Sequence, residues 1–317
     1  MEKPDIFDTI TKSMKSVVSV QSEPQSNFLN GKVNLRRGSG IVVDKNSIVT
    51  NAHIIKKAEM VHIVHDSEIL NGKVVNSSKI ADLALIKVEE TLPASKLGNS
   101  YNVRIGQTIY LLGNPFGLRG DPTVSSGIIS SLKRSIRVDS NFMIDMIQTD
   151  AHLNPGNSGG PLIDVYGNVL GVTTALIPNA QGIGFSIPIN TVKDYISQVF
   201  SKGMYSIPGI GIDGVTITPG MNRLYDLGSD HGVLITKVFK GSPAYEAGLS
   251  KRGWLSLLSF DEFPKFGSII SFNGRKVPGF EELLRMIRGC VVGSRVKLGL
   301  LKNGIEKDVD IKIGELY

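Results

Sequence analysis

Ser158 has the surroundings that most suggest chemistry. It lies in Asn154-Pro-Gly-Asn-Ser-Gly-Gly-Pro161, where Gly156, Gly159 and Gly160 let the backbone bend tightly and turn its N–H groups toward one point. A nucleophilic serine beside an oxyanion-binding site needs that arrangement. Upstream, Ile48-Val-Thr-Asn-Ala-His53 puts a histidine at the end of an apolar strand, and Asp82-Leu-Ala-Leu-Ile-Lys-Val88 opens another strand with an acid. Each segment alone has a plain reading: a turn, a surface or core histidine, a cap. In the order His, Asp, Ser, in a strand-rich region, they describe a nucleophile, its base and the acid that orients the base. Gly156–Gly160 also fits the G-x-S-x-G elbow of α/β-hydrolases, but that elbow needs a helix after the serine and its acid and histidine later in the chain. Here Pro161 and a strand pattern follow, and the only later histidine, His231, falls in the second domain.

The elements that must hold these residues are short. From residue 32 to 188 the chain reads as alternating or apolar runs cut by turn residues: Ser39–Asp44, Ser47–Thr50, Met60–Val64, Leu83–Val88, Thr108–Leu112, Gly127–Leu132, Phe142–Thr149, Pro161–Asp164 and Val169–Leu176. Many short strands without intervening helices predict a sandwich or barrel. Phe7, Ile10, Met14 and Val17 fall at helical spacing, predicting a short amphipathic helix over 4–16 before a strand over Val17–Gln21. A helix is expected from Asn190 to Lys202, stopped by Gly203. After it come strands at Val233–Phe239 and Ile269–Phe272, a turn at Asn273-Gly274, a helix at Phe280–Arg288 and a hairpin of Ser294–Leu301 with Glu306–Ile313 across Asn303-Gly304. The expected domains are therefore 1–203 and 204–317, the second a compact, mainly β unit.

Composition excludes several classes. The chain has 317 residues, 41% hydrophobic and 20% charged, enough for two folded domains. Its 35 glycines, about 11% against a background of ~7%, agree with many tight turns. The net charge of +6 is spread without a basic stripe interleaved with aromatics, so no nucleic-acid partner is expected. One cysteine, Cys290, rules out intrachain disulfides and thiol-rich metal sites; no metal and no cofactor are expected. No run approaches the ~20 apolar residues of a membrane span. Lys3, Lys12 and Lys15 are interrupted by Asp5 and Asp8 with no leader-length apolar stretch behind them, which predicts a cytoplasmic protein.

Thr50-Asn-Ala-His53, Asp82-Leu-Ala-Leu, Leu112-Gly-Asn-Pro-Phe-Gly117, Gln148-Thr-Asp-Ala151, Asn154–Leu162 and Gly182-Ile-Gly-Phe185 closely resemble the HtrA (Deg) family of trypsin-like serine proteases, over about residues 33–200. The downstream unit resembles the family's PDZ domain more distantly, through Gly209-Ile-Gly-Ile212, Gly241-Ser-Pro-Ala244, Ala247-Gly-Leu249 and Phe272-Asn-Gly274. The resemblance implies an all-β-dominated fold, a chymotrypsin-like double β-barrel followed by a PDZ domain of strands and one or two helices. It implies an ATP-independent endoprotease of protein quality control and stress response that cleaves unfolded or damaged chains, possible chaperone activity included. Ser158 would be the nucleophile, His53 the base and Asp82 its orienter, with Gly156, Asn157 and Ser158 forming the oxyanion hole. Asn157 carries no charge to pair with a newly cut N-terminus, which places regulation in loop ordering over Leu112–Gly127 and Ile177–Gly184.

By the same resemblance Leu153 and Ile177 line an apolar substrate pocket, with His152 either at its floor or packed aside; cleavage after small aliphatic residues follows. Ile210, Gly211 and Ile212 would hold the carboxylate of C-terminal peptides. Homotrimers or multiples of trimers are implied, with Phe7 and Phe28 as contacts. His62 and His65 read as surface residues, and Cys290 as a small core residue closing a helix. Ser250–Phe266, with Trp254, Phe260, Phe263 and Phe266, departs from the family pattern, as a loop folded on its own domain or as an exposed apolar patch for a partner, another subunit or unfolded substrate.

Overall fold

The computed structural model describes residues 5–22, 36–114, 120–138, 141–176, 182–249, 267–302 and 304–317. The chain divides into two compact units, Met1–Tyr205 and Ser206–Tyr317.

The first unit opens with α1 (Ile6–Met14), N-capped by the Asp5 side chain. Strands β1 (Val17–Ser22), β2 (Arg36–Asp44) and β3 (Ser47–Thr50) follow, then the short helix α2 (Ala52–Ile55) and strands β4 (Met60–His65), β5 (Glu68–Ser78) and β6 (Leu83–Lys87). These six strands close into a barrel in the order β1-β2-β3-β6-β5-β4, with β4 returning to pair β1. Val18, Val20, Val42, Ile48, Ile63 and Ile86 fill it. Branched side chains at alternate positions suit a closed sheet that buries one face.

The second set comprises β7 (Lys96–Leu97), β8 (Thr108–Gly113), β9 (Thr123–Val138), β10 (Asn141–Thr149), β11 (Pro161–Ile163), β12 (Asn168–Leu176) and β13 (Gly184–Pro188). Their order is β11-β8-β9-β10-β13-β12-β7, and an added β11–β12 pairing closes the first six into a second barrel. Ile109, Leu111, Ile129, Ile147, Leu162 and Leu170 form its core. Helix α3 (Ile189–Lys202) follows and stops at Gly203 in the left-handed region.

The second unit pairs β14 (Ile207–Gly209) with β21 (Gly314–Leu316). Its main sheet runs β15 (Ile212–Thr216), β16 (Val233–Val238), β17 (Ser268–Phe272), β19 (Arg295–Lys302), β20 (Ile305–Lys312), with β18 (Arg275–Lys276) beside β17. Helices α4 (Pro219–Tyr225), α5 (Pro243–Glu246) and α6 (Phe280–Arg288) complete it. Asn273 and Gly274 both take positive φ, as a two-residue hairpin turn demands.

The expected double barrel and following β unit are present, with differences in detail. β5 was not anticipated, because Asn71-Gly72 reads as a turn. Gly72 instead sits mid-strand where a Cβ would lie 2.6 Å from Ile86 Cγ2, so only hydrogen fits against the barrel core. The expected Gly127–Leu132 strand is the middle of the much longer β9. Cys290 is half-buried with its thiol donating to the Met286 carbonyl at 3.3 Å, so it does not belong to the core, although burial still pushes its acidity down. Helix α1 stands where an amphipathic helix is expected; it buries none of its residues, and Phe7 is 77% exposed. Phe28, Ile177, the 250–266 segment with its aromatics, and Asn303 lie outside the described residues. Among the described residues no helix is long and apolar enough to cross a membrane.

Candidate active site

His53 belongs to the first turn of α2 and not, as expected, to the end of β3. The turn follows β3 directly, with Asn51 at the N-cap position; its buried side-chain amide caps no helix N–H and donates instead to the Asp82 carbonyl at 3.0 Å. Asp82 stands immediately before β6 with φ +51, a left-handed conformation that an aspartate tolerates better than most residues. Antiparallel pairing of β3 with β6 brings the two segments together. The Asp82 carboxylate accepts the His53 backbone N–H at 3.0 Å and lies 2.9 Å from imidazole Nδ1. That carboxylate is an acceptor, so Nδ1 carries the proton and Nε2 keeps its lone pair. The imidazole is 42% exposed and the carboxylate 11%, so the pair faces outward from a buried footing.

A third partner was missed from sequence. Thr174, on β12 of the other barrel, donates its hydroxyl to Asp82 Oδ2. Its backbone carbonyl accepts the Ser158 hydroxyl at 3.1 Å. Thr174 thus joins the acid to the serine, and the Ser158 hydroxyl is directed to this carbonyl instead of the imidazole. Nothing in sequence separates this threonine from its neighbour Thr173; only the strand register picks it out.

The loop carrying Ser158 has its peptide groups fixed alternately. The Asn157 N–H donates to the Asn154 carbonyl at 3.0 Å, Gly159 N–H to Thr173 at 2.7 Å and Gly160 N–H to Asn157 at 3.0 Å. The N–H groups of Gly156 and Ser158 have no acceptor among the described residues. Two unspent donors therefore flank Asn157, a residue only 2% exposed. The structure thus brings His53, Asp82 and, through Thr174, Ser158 into one site, with Gly156 and Asn157 beside the serine.

Around this loop the His152 side chain is exposed, and its carbonyl accepts the Ser125 hydroxyl at 2.8 Å. Leu153 packs into the core of the second barrel. Ile177 is not among the described residues, nor are parts of the 112–127 and 177–184 segments. His62 is exposed, while His65 Nε2 meets the Lys15 carbonyl at 2.8 Å and ties β4 to the α1–β1 junction.

In the second unit, Ile210 and Gly211 form the turn between β14 and β15. Their carbonyls are occupied, Ile210 by the Ala244 N–H at 2.8 Å and Gly211 by the Phe239 N–H at 3.0 Å and the Ser242 hydroxyl at 3.1 Å. Their N–H groups have no acceptor among the described residues. Ile212 begins β15, which among the described residues pairs only with β16.

Comparison with known proteins agrees with this architecture. Residues 38–172 match the trypsin-like peptidase domain and residues 208–313 the PDZ domain. The chain is 33% identical over 285 residues to the periplasmic serine endoprotease DegP of Escherichia coli, covering 87% of this chain and 56% of that protein. It is 32% identical over 295 residues to HhoA of Synechocystis, covering 88% of this chain and 71% of that one. It spans little more than half the length of several curated relatives, DegP among them. The HtrA-type protease AlgW, solved with a decapeptide, superposes with a TM-score of 0.76 at 24% identity over 99% of each chain, a likeness of fold. The relatives named periplasmic overturn the expectation of a cytoplasmic protein. That expectation rests on the lack of a leader-like stretch, and a targeting segment leaves no mark on the folded domains. With a trypsin-like peptidase domain followed by a PDZ domain, the chain belongs to the HtrA (Deg) family of serine proteases.

Proposed function

We propose that this chain is an exported, ATP-independent serine endoprotease that cleaves unfolded or damaged proteins through an acyl-enzyme on Ser158. One observation supports it above the others: the two unspent N–H groups, Gly156 and Ser158, flank a buried residue beside the serine, while the neighbouring peptides are tied. Such a pair meets the charge that develops on a carbonyl oxygen under attack. In this reading the Ser158 hydroxyl leaves the Thr174 carbonyl, turns to His53 Nε2 and gives up its proton as it attacks the peptide carbonyl. The imidazolium, held by Asp82, then protonates the leaving amine, and water repeats the sequence to release the acyl group. Asn157 holds its place without a charge, so the oxyanion loop needs no newly cut N-terminus as a partner.

The PDZ unit would take a substrate or signal peptide by strand addition to the edge of β15, its carboxylate meeting the N–H groups of Ile210 and Gly211, which have no acceptor among the described residues. Homotrimers or multiples of trimers are the assemblies we propose. Turnover of unfolded casein tests the central reading. The wild-type chain should degrade it without nucleotide, and Ser158→Ala should fold normally and lose nearly all turnover. Comparable degradation by both forms would refute the assignment.

A further inference from the structure

Ser39, on β2, is fully buried and is bonded twice to the loop that carries Ser158. Its N–H donates to the Ser158 carbonyl at 2.7 Å, and its carbonyl accepts the Thr50 hydroxyl at 2.6 Å, one step from the segment that carries His53. Its hydroxyl accepts the Asn114 backbone N–H at 2.8 Å and donates to the Gly156 carbonyl at 2.7 Å. A hydroxyl has one proton to give, so acceptance from Asn114 and donation to Gly156 form a single directed chain from the end of β8 to the oxyanion loop.

We propose that Ser39 is the positioning residue of the oxyanion hole, its hydroxyl clamping the peptide between Gly156 and Asn157 so that the Gly156 and Ser158 N–H groups stay aimed outward. The inference rests on the proteolytic reading above and adds a residue to it. The Gly156–Asn157 peptide is held at both ends, its carbonyl by Ser39 and its N–H by the Asn154 carbonyl. Gly156 lies at φ +103, where a glycine backbone rotates at little cost, so an outside bond is needed to hold one orientation. Without the clamp this peptide can turn over and carry the adjoining N–H groups away from the reacting oxygen. The Asn114 N–H is the upstream donor of this chain, so the clamp has support from outside the oxyanion loop.

The test is Ser39→Ala, which removes one oxygen atom and adds no bulk. Loss of a whole oxyanion donor costs ~10²–10³ in kcat, and loss of its orientation should cost ~10–100-fold. We expect that fall in kcat on a chromogenic peptide whose wild-type cleavage depends on Ser158, with KM within about twofold. Inhibition by a peptide aldehyde, whose adduct places an oxyanion in the hole, should weaken by the same factor. Binding of an uncleaved peptide in the Ser158→Ala background should be unchanged by adding Ser39→Ala. Ser39→Thr, which keeps the hydroxyl, should recover most of the loss. If Ser39→Ala fails to fold, Ser39→Cys fills the same space with a weak donor and carries the same expectations. Unchanged kcat, or a loss carried by KM with aldehyde affinity intact, overturns the proposal alone. A wild-type chain without Ser158-dependent cleavage overturns the proteolytic reading, and this proposal falls with it.

Discussion

At the scale of single residues, the site depends on which partner each polar group is left with. Asp82 accepts from the backbone and ring of His53 and from Thr174, so its carboxylate is held by groups from both barrels. Removing Thr174 from that set should loosen the acid proposed to orient the base. Thr174→Val keeps the shape and deletes the donor. A hydrogen bond to a charged group contributes ~1.5–3 kcal/mol, so kcat should fall about 10- to 100-fold with KM nearly constant. Thr174→Ser, which keeps the hydroxyl, should stay close to wild type. A fully active valine variant would show that Asp82 needs only His53. The order His53, Asp82, Ser158 could be read from sequence because glycine-rich and strand-edge signals surround each residue. Thr174 and Ser39 could not, since both lie within ordinary strand sequence and gain their contacts to the site only through the fold.

At the scale of elements, sequence reading works where side chains announce the period and fails where backbone approach decides. α6 was expected at its observed bounds because its apolar stripe of Phe280, Leu283 and Ile287 is flanked by acids at the start and bases at the end. β3 was equally plain, an apolar run between turn residues. β5 hid behind Asn71-Gly72, and α2 behind the strand it extends. Gly72 makes the case testable, since a methyl there would lie 2.6 Å from Ile86 Cγ2 and 3.0 Å from Ile63 Cγ1. Both neighbours are fully buried β-branched residues with little room to turn. Overpacking of this kind costs ~1–3 kcal/mol. For a unit of this size each kcal/mol moves the melting midpoint by about 2–4 °C. Gly72→Ala should therefore lower the thermal midpoint of the first barrel's transition by several degrees. An unchanged midpoint would mean that the barrel yields more easily than its packing implies.

At the scale of the whole molecule, each unit has its own core. The two barrels are filled from within residues 18–170, and Ile217, Leu227 and Leu234 pack together in the second unit. Damage confined to the turn proposed to bind the carboxylate should then leave the chemistry of the barrels alone. Gly211 is the position to change. Its φ of +73 is strained for any side chain, and an added Cβ would lie 2.2 Å from the Ser242 Cβ. Ser242 both accepts space from Gly211 and donates its hydroxyl to the Gly211 carbonyl, so a methyl there must shift the turn that presents the two free N–H groups. In the full chain, Gly211→Ala should weaken binding of a labelled C-terminal peptide at least about tenfold, roughly the worth of one charge-assisted hydrogen bond. Hydrolysis of a short peptide substrate that does not need the PDZ unit should stay within about twofold. Fluorescence anisotropy and a chromogenic assay on the same preparation separate the two effects. Unchanged peptide binding would place the carboxylate site elsewhere. Loss of both activities would mean that the second unit supports the barrels' chemistry, and that the two cores do not act as independent parts.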